Sequence, residues 1–236
     1  MLFRSPDNYP NVNHLKDLVT SGSGFQTGHN IRFAGGGEKY SYLLSLGYLH
    51  QEGIVAQNSY DKYNFQFNVD NQLTNTLHLK ADISGYTGVQ KEPRSSDNFN
   101  TMIGYSVREP SVIAGRKSDG TYGYQDNYCP EGWLDSPSFT NNKSNQFMGG
   151  VEVEWNPFKN FYLSGKGGYK YYNYYNKDYI SELVYNANKT YTPNSLSVSN
   201  GWNSLVTLQA LARYSYNLND NHFNILAGVS QEEYKG

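Results

Sequence analysis

The residues of this chain that could do chemistry are five histidines, one cysteine, a close pair of glutamates and a group of aromatic rings in polar surroundings. His14, His29, His50, His78 and His222 are scattered, with no HExxH run and no i, i+4 pair. A helix presents two ligands on one face only at such a spacing, so each histidine reads as a lumen or turn residue, and no metal site is expected. Asp119-Gly120 and Asp126-Asn127 lie in a polar stretch that lacks the EF-hand spacing, which leaves a loop calcium open as an alternative. Glu152 and Glu154 share one wall of a strand, as a carboxylate pair would. Acid–base work also needs converging partners, and no such partner can be named, so the pair reads as plain lumen charges. The single Cys129 excludes an internal disulfide framework and a multi-cysteine metal site. Ser21-Gly22-Ser23-Gly24 is a flexible break and not a phosphate loop, because no strand precedes it and no helix with a Lys-Ser/Thr end follows. The sequons at Asn142-Lys143-Ser144 and Asn188-Lys189-Thr190 are expected by chance in a chain this rich in Asn. No catalytic residue and no cofactor are expected, and the chain does not read as an enzyme.

Binding is better served by the loop aromatics Tyr122, Tyr124, Tyr128, Trp133 and Trp202. Such rings stack on the apolar faces of sugars, while neighbouring Asn and Asp bond hydroxyls. The alternative is that they pack the loops together or sit in a membrane-boundary girdle. If Trp133 stacks on a glycan, Trp133→Ala weakens uptake without changing assembly.

The elements that must hold these residues are strands. From His29 to Tyr86 the chain reads as four strands, in which Phe65, Phe67 and Val69 alternate with Asn64, Gln66, Asn68 and Asp70. Leu77, Leu79, Ala81 and Ile83 likewise alternate with His78, Lys80, Asp82 and Ser84. Strand side chains point to opposite faces with a period of two, so each strand has one apolar and one wet wall. Further on, Val151, Val153 and Trp155 alternate with Glu152 and Glu154, and Val206, Leu208, Ala210, Ala212 and Tyr214 with Thr207, Gln209 and Arg213. Half-buried antiparallel strands have this pattern, and so do membrane barrels with lipid outside and water within.

Composition narrows the choice. Mean hydropathy is −0.72, and no apolar run approaches the roughly 18 residues of a membrane helix. Alternation averages away in such a window, so a β-barrel stays open. Tyrosine is abundant, at 23 residues beside 11 Phe and 3 Trp, and such rings favour both strands and membrane–water boundaries. A net charge of −2 argues against a nucleic-acid binder, which needs a basic field. No signal peptide is visible after Met1-Leu2-Phe3-Arg4, where Ser5-Pro6-Asp7-Asn8 follows with no apolar stretch.

The connections add a direction. Tight turns near Gly35, Asn71, Pro157 and Asn219 alternate with longer polar segments, the largest at about residues 89–143 and 176–200. All tight turns then lie at one end of the sheet, as in outer-membrane barrels with short periplasmic turns and long extracellular loops. Strands of about ten residues, at about 3.3 Å each and tilted about 45°, cover an apolar band of about 25 Å. The first strand enters and the last ends at the long-loop side, so the chain is expected to be an internal piece of a larger barrel. Residues 1–27 read as a lead-in, with a turn at Tyr9-Pro10-Asn11 and a helical turn over Leu15 to Val19, and 28–236 as the partial barrel.

On these residues the chain resembles a family. His29-Asn30 precedes a strand ending in Gly35-Gly36, and Tyr42, Ser45, Gly47 and Tyr48 lead into Gln51-Glu52-Gly53-Ile54-Val55. Tyr63-Asn64, Asn68 and Leu73-Thr74 precede the next strand, after a Tyr9-Pro10-Asn11-Val12 lead-in. The run over about residues 8–88 is similar to the start of the barrel in SusC-type TonB-dependent outer-membrane transporters of Bacteroidetes-like bacteria. Lys62-Tyr63 stands where the family often has Arg-Tyr, and the later loops show no specific match.

The resemblance implies an all-β, antiparallel up-and-down meander, about eight strands of a barrel of about 22 that an N-terminal plug closes. It also implies import of glycans, oligosaccharides or peptides, energised through TonB, with a SusD-like surface lipoprotein as a lid and outer-membrane lipid around the wall. Plug and TonB box are expected outside these residues. Two other classes stay open: a passive porin or adhesin-type barrel, and a soluble β-rich carbohydrate-binding module.

Overall fold

Period-two alternation becomes one sheet. The structure, a computed structural model, describes residues 7, 10–126, 128–191 and 193–236, so Tyr9 of the expected first turn and Asn127 lie outside it. Strands β1 (Gln26–Gly36), β2 (Tyr40–Glu52), β3 (Ser59–Gln72), β4 (Leu77–Pro93), β5 (Phe139–Trp155) and β6 (Phe161–Ile180) pair in order. A small hairpin, β7 (Leu183–Asn186) and β8 (Lys189–Tyr191), interrupts the sequence before β9 (Ser195–Leu218) and β10 (Asn221–Lys235) complete an eight-stranded antiparallel meander.

Register assigns the walls, because directly paired residues of antiparallel strands share a face. One row runs Phe33, Leu44, Phe67, Ile83, Gly149, Tyr169 and Val206 across seven strands, and the next runs Ile31, Leu46, Phe65, Gly85, Phe147 and Tyr171. Phe65 and Phe67 remain 38% and 36% exposed, so no second sheet seals them. The opposite wall carries a row of alternating charge: Asp70 faces Lys80, Lys80 faces Glu152, Glu152 faces Lys166 and Lys166 faces Gln209. Near it, His78 bridges Asp70 at 2.5 Å and Glu154 at 3.2 Å, while Lys80 donates to Glu154 at 2.7 Å. Unlike charges opposed across strands attract, whereas charges of either sign against lipid cost about 2–4 kcal/mol each at mid-bilayer for Lys or Arg. The apolar wall therefore meets lipid, and the charged wall faces a wet interior.

Aromatic rings edge the apolar band. At the tight-turn end, Trp155 and Tyr214 are exposed and Phe158 stacks on Phe161 at 4.8 Å. Toward the other end, Tyr48 meets Tyr63 at 4.8 Å and Tyr171 meets Trp202 at 6.4 Å. Amphipathic rings collect at both membrane boundaries in this way. The tight turns use Asn160 and Asn219 at φ of 66° and 51°, a left-handed conformation that asparagine tolerates.

All four tight turns fall at one end, as expected, and the other end carries more structure than the sequence suggests. β4 and β5 stay paired up to Pro93 and Phe139, and β6 and β9 up to Ile180 and Ser195, so the longest connections are 94–138 and 181–194. Polar rim residues there still satisfy the backbone ladder, although they carry no apolar signal. The first connection is not irregular throughout, because it holds α2 (Phe99–Arg108) and α3 (Pro130–Asp135). The lead-in supplies α1 (His14–Val19), the expected helical turn. Asn13 and Asn98 cap α1 and α2 by accepting from Lys16 N–H and Thr101 N–H, and Pro130 opens α3, where a missing N–H costs nothing.

Candidate functional site

The three helices and the β7–β8 hairpin form a cap over the long-loop end. Its core is Leu18, Val55, Met102, Cys129, Trp133, Leu134, Ile180, Leu183 and Tyr185, all buried. The sheet itself has no such core, because its apolar wall stays outside. Polar links close the cap over long sequence distances. Val12 N–H donates to Ser111 O at 2.9 Å, Tyr122 N–H to Tyr185 O at 2.8 Å, and Gln57 Nε2 to Leu134 O at 2.6 Å. Arg116 grips Asp135 with two bonds of 2.7 Å, and Tyr122 adds a third donor to Asp135 at 3.0 Å. Partial burial would raise the Asp135 carboxyl, but the Arg116 and Tyr122 donors reverse that and hold it below the usual carboxylate range. Gly123 lets two loop segments touch, since a Cβ there would lie 2.2 Å from Ala114 O.

The structure divides the five aromatic candidates. Tyr122, Tyr124 and Tyr128 are half-buried in the cap, with Tyr124 stacked on Tyr185 at 5.3 Å and Tyr128 against Tyr105 at 4.7 Å. Trp133 is fully buried and packs edge-on against Tyr191 at 5.0 Å. No ligand can stack on a ring without a free face, so Trp133 follows the packing alternative and not the sugar-stacking one. Trp202 is on strand β9, pairs with Asn173, lies 6.4 Å from the Tyr171 ring and is exposed on the apolar wall away from the cap.

Beside the cap, a cleft of about 640 Å³ opens between the lead-in, the β2–β3 connection and the rim of β4 and β5. Ser23, Glu52, Asn58, Lys91, Glu92 and Asn141 line it. It thus offers both charge signs together with amides. Sequence reasoning missed this site, because its walls come from four separated segments.

His14 departs from its sequence reading as a lumen or turn residue. It is buried in the cap against Glu131, 2.6 Å from Nδ1 to Oε1, with Glu109 Oε2 at 4.0 Å. Burial pushes the Glu109 carboxyl up to about 8, with Glu131 adding to the rise and His14 opposing it. Burial alone would lower His14, but the Glu131 carboxylate outweighs it and raises the imidazole.

Cys129 gives a handle on the cap. It is fully buried, and burial raises its thiol, so it stays protonated and shielded. Maleimide is expected to leave Cys129 unmodified in the folded protein and to label it only after the cap is denatured, as followed by peptide mass spectrometry. Rapid labelling under native conditions would mean the cap is not closed.

No protein-family model matches the chain. Among curated proteins it is 24% identical over 95% of its length to the TonB-dependent receptor P26 of Formosa agariphila, and it spans 22% of that protein. It is also 28% identical over 39% of its length to the TonB-dependent receptor P39 of the same organism, of which that match spans 9%. Among solved structures it is similar to the RagAB peptide transporter, with a TM-score of 0.71, 17% identity, and coverage of 96% of this chain and 26% of that one. The open form of the ferric-catecholate import receptor Fiu from E. coli K12 follows its fold at a TM-score of 0.51, 9% identity, and coverage of 90% and 33%. The chain therefore corresponds to about a quarter or less of these curated proteins and of the RagAB chain.

Proposed function

We propose that this chain, a stretch of outer-membrane β-barrel of the TonB-dependent transporter type, is the substrate-side wall and rim of a nutrient importer for oligosaccharides or peptides. The carrying observation is the charged row from Asp70 to Lys166 on one wall, backed by the row from Phe33 to Val206 on the other. That arrangement supports a solvated conduit inside a lipid-facing wall. The same proposal includes TonB as the energy source and a SusD-like surface lipoprotein as the lid.

Substrate contact is assigned to the polar cleft and to Tyr122, Tyr124 and Tyr128, which are half-buried. Amides and mixed charges suit hydroxyl-rich or peptide ligands equally, and the similarity to a peptide transporter favours peptides as the first class to test. Trp133 and Trp202 are given structural roles.

The test uses the full-length gene in its own outer membrane, with uptake of labelled oligopeptides and oligosaccharides measured with and without a functional TonB system. Uptake of one class that stops without TonB is expected. Tyr128→Ala is expected to raise the concentration needed for half-maximal uptake several-fold while leaving the amount of barrel in the membrane unchanged. Uptake that continues without TonB would point to a passive porin and overturn the proposal.

A further inference from the structure

Three buried ionisable side chains meet inside the cap from segments far apart in sequence. His14 opens α1, Glu109 follows the last residue of α2, and Glu131 lies in the first turn of α3. Their relative exposures are 2%, 6% and 3%, and one candidate ligand atom from each lies within 4.8 Å of the others.

Two features distinguish this cluster from an ordinary buried ion pair. First, both carboxylate oxygens of Glu109 and Oε2 of Glu131 are buried with no hydrogen-bond partner among the described residues. Buried carboxyl oxygens left without partners are unfavourable unless something neutralises and binds them. Second, His14 Nε2 lies 3.3 Å from Pro110 O. With a cation seated between the side chains, the imidazole would donate Nε2–H to Pro110 O and turn its Nδ1 lone pair to the ion. Metal-bound histidines are usually held this way, with the outer nitrogen tied to a backbone carbonyl.

The charges then close. Two carboxylates and a neutral imidazole around a divalent cation sum to zero, and the ion would supply the partner that the Glu109 oxygens lack among the described residues. A tetrahedral ion with bonds of about 2.0–2.1 Å sets ligands about 3.3 Å apart, so the side chains would shift to take it. The present Nδ1 separations of 2.6 and 4.0 Å lie on either side of that spacing.

We propose that His14, Glu109 and Glu131 form a structural site for a divalent transition cation, Zn²⁺ or Mn²⁺, that ties the lead-in helix to the two loop helices. One imidazole with two carboxylates suits these ions better than Ca²⁺, which takes six to eight oxygens, or Mg²⁺, which prefers all-oxygen octahedra and bound water. The site uses none of the residues assigned to substrate contact, so it does not depend on what the barrel carries.

The test is made on the full-length protein, purified in detergent, stripped with EDTA and dialysed against Zn²⁺ or Mn²⁺. Elemental mass spectrometry is expected to find about one more ion per chain than in Glu109→Gln or His14→Gln. Glu109→Gln keeps the shape of a protonated carboxyl, and native protection of Cys129 reports that its cap is still folded. In the wild type, Co²⁺ replacement is expected to give a visible ligand-field band that Zn²⁺ displaces. Equal metal content in wild type and Glu109→Gln, with Cys129 protected in both, would overturn the site. So would a wild-type protein that takes up none of the three ions.

Discussion

Trp133→Ala is expected to open the cap and leave the barrel wall assembled. The ring is fully buried at the centre of the cap core and packs against Tyr191. Truncating a buried tryptophan to alanine costs about 3–5 kcal/mol. The cap has a small core of its own, so a loss of that size is comparable to the stability of a local unit. The sheet is held by a separate ladder of strand pairs and does not share the loss. Cys129, one residue before α3, then becomes open to maleimide under native conditions, while heat-modifiable gel mobility stays that of an assembled barrel. The outcome separates two roles. A stacking ring would lose uptake with Cys129 still protected, whereas a keystone ring loses that protection first. Retained protection in Trp133→Ala would refute the structural role assigned here.

Phe67→Arg and Gln66→Arg are expected to differ sharply although the positions are neighbours. Phe67 pairs with Leu44 and Ile83 on the apolar wall, midway between the two aromatic edges. Gln66 pairs with Ser45 and Ser84 on the wet wall. An arginine facing mid-bilayer lipid costs about 2–4 kcal/mol, and the same residue on the lumen side costs little. Urea unfolding of the full-length protein in liposomes is expected to show that loss for Phe67→Arg and a change within about 0.5 kcal/mol for Gln66→Arg. Equal effects at both positions would mean that the walls have been assigned to the wrong faces.

Much of the barrel was legible because its signals are local. The period of two places Phe65 and Phe67 on one wall and Gln66 on the other without any knowledge of the partner strands. Turn positions such as Asn160 and Asn219 follow from residues that tolerate left-handed backbone. Strand ends at the rim were less legible, since Glu92 and Thr140 pair through backbone that carries no apolar pattern.

The candidate site was legible only in part. Tyr122, Tyr124 and Tyr128 could be selected as loop rings near Asn and Asp. Composition could not tell that Trp133 turns inward or that Trp202 lies exposed on the sheet, because both stand in polar stretches of similar make-up.

By itself, the sequence determined an antiparallel barrel wall, the face each strand residue takes, and the end at which the long connections gather. Neighbours along a strand settle those features. Only the tertiary structure decided that the long connections build a cap, that Trp133 is its centre, and that His14 lies against Glu131, 117 positions away. Such meetings depend on how separated segments fold back over the barrel rim, and no local period records that path.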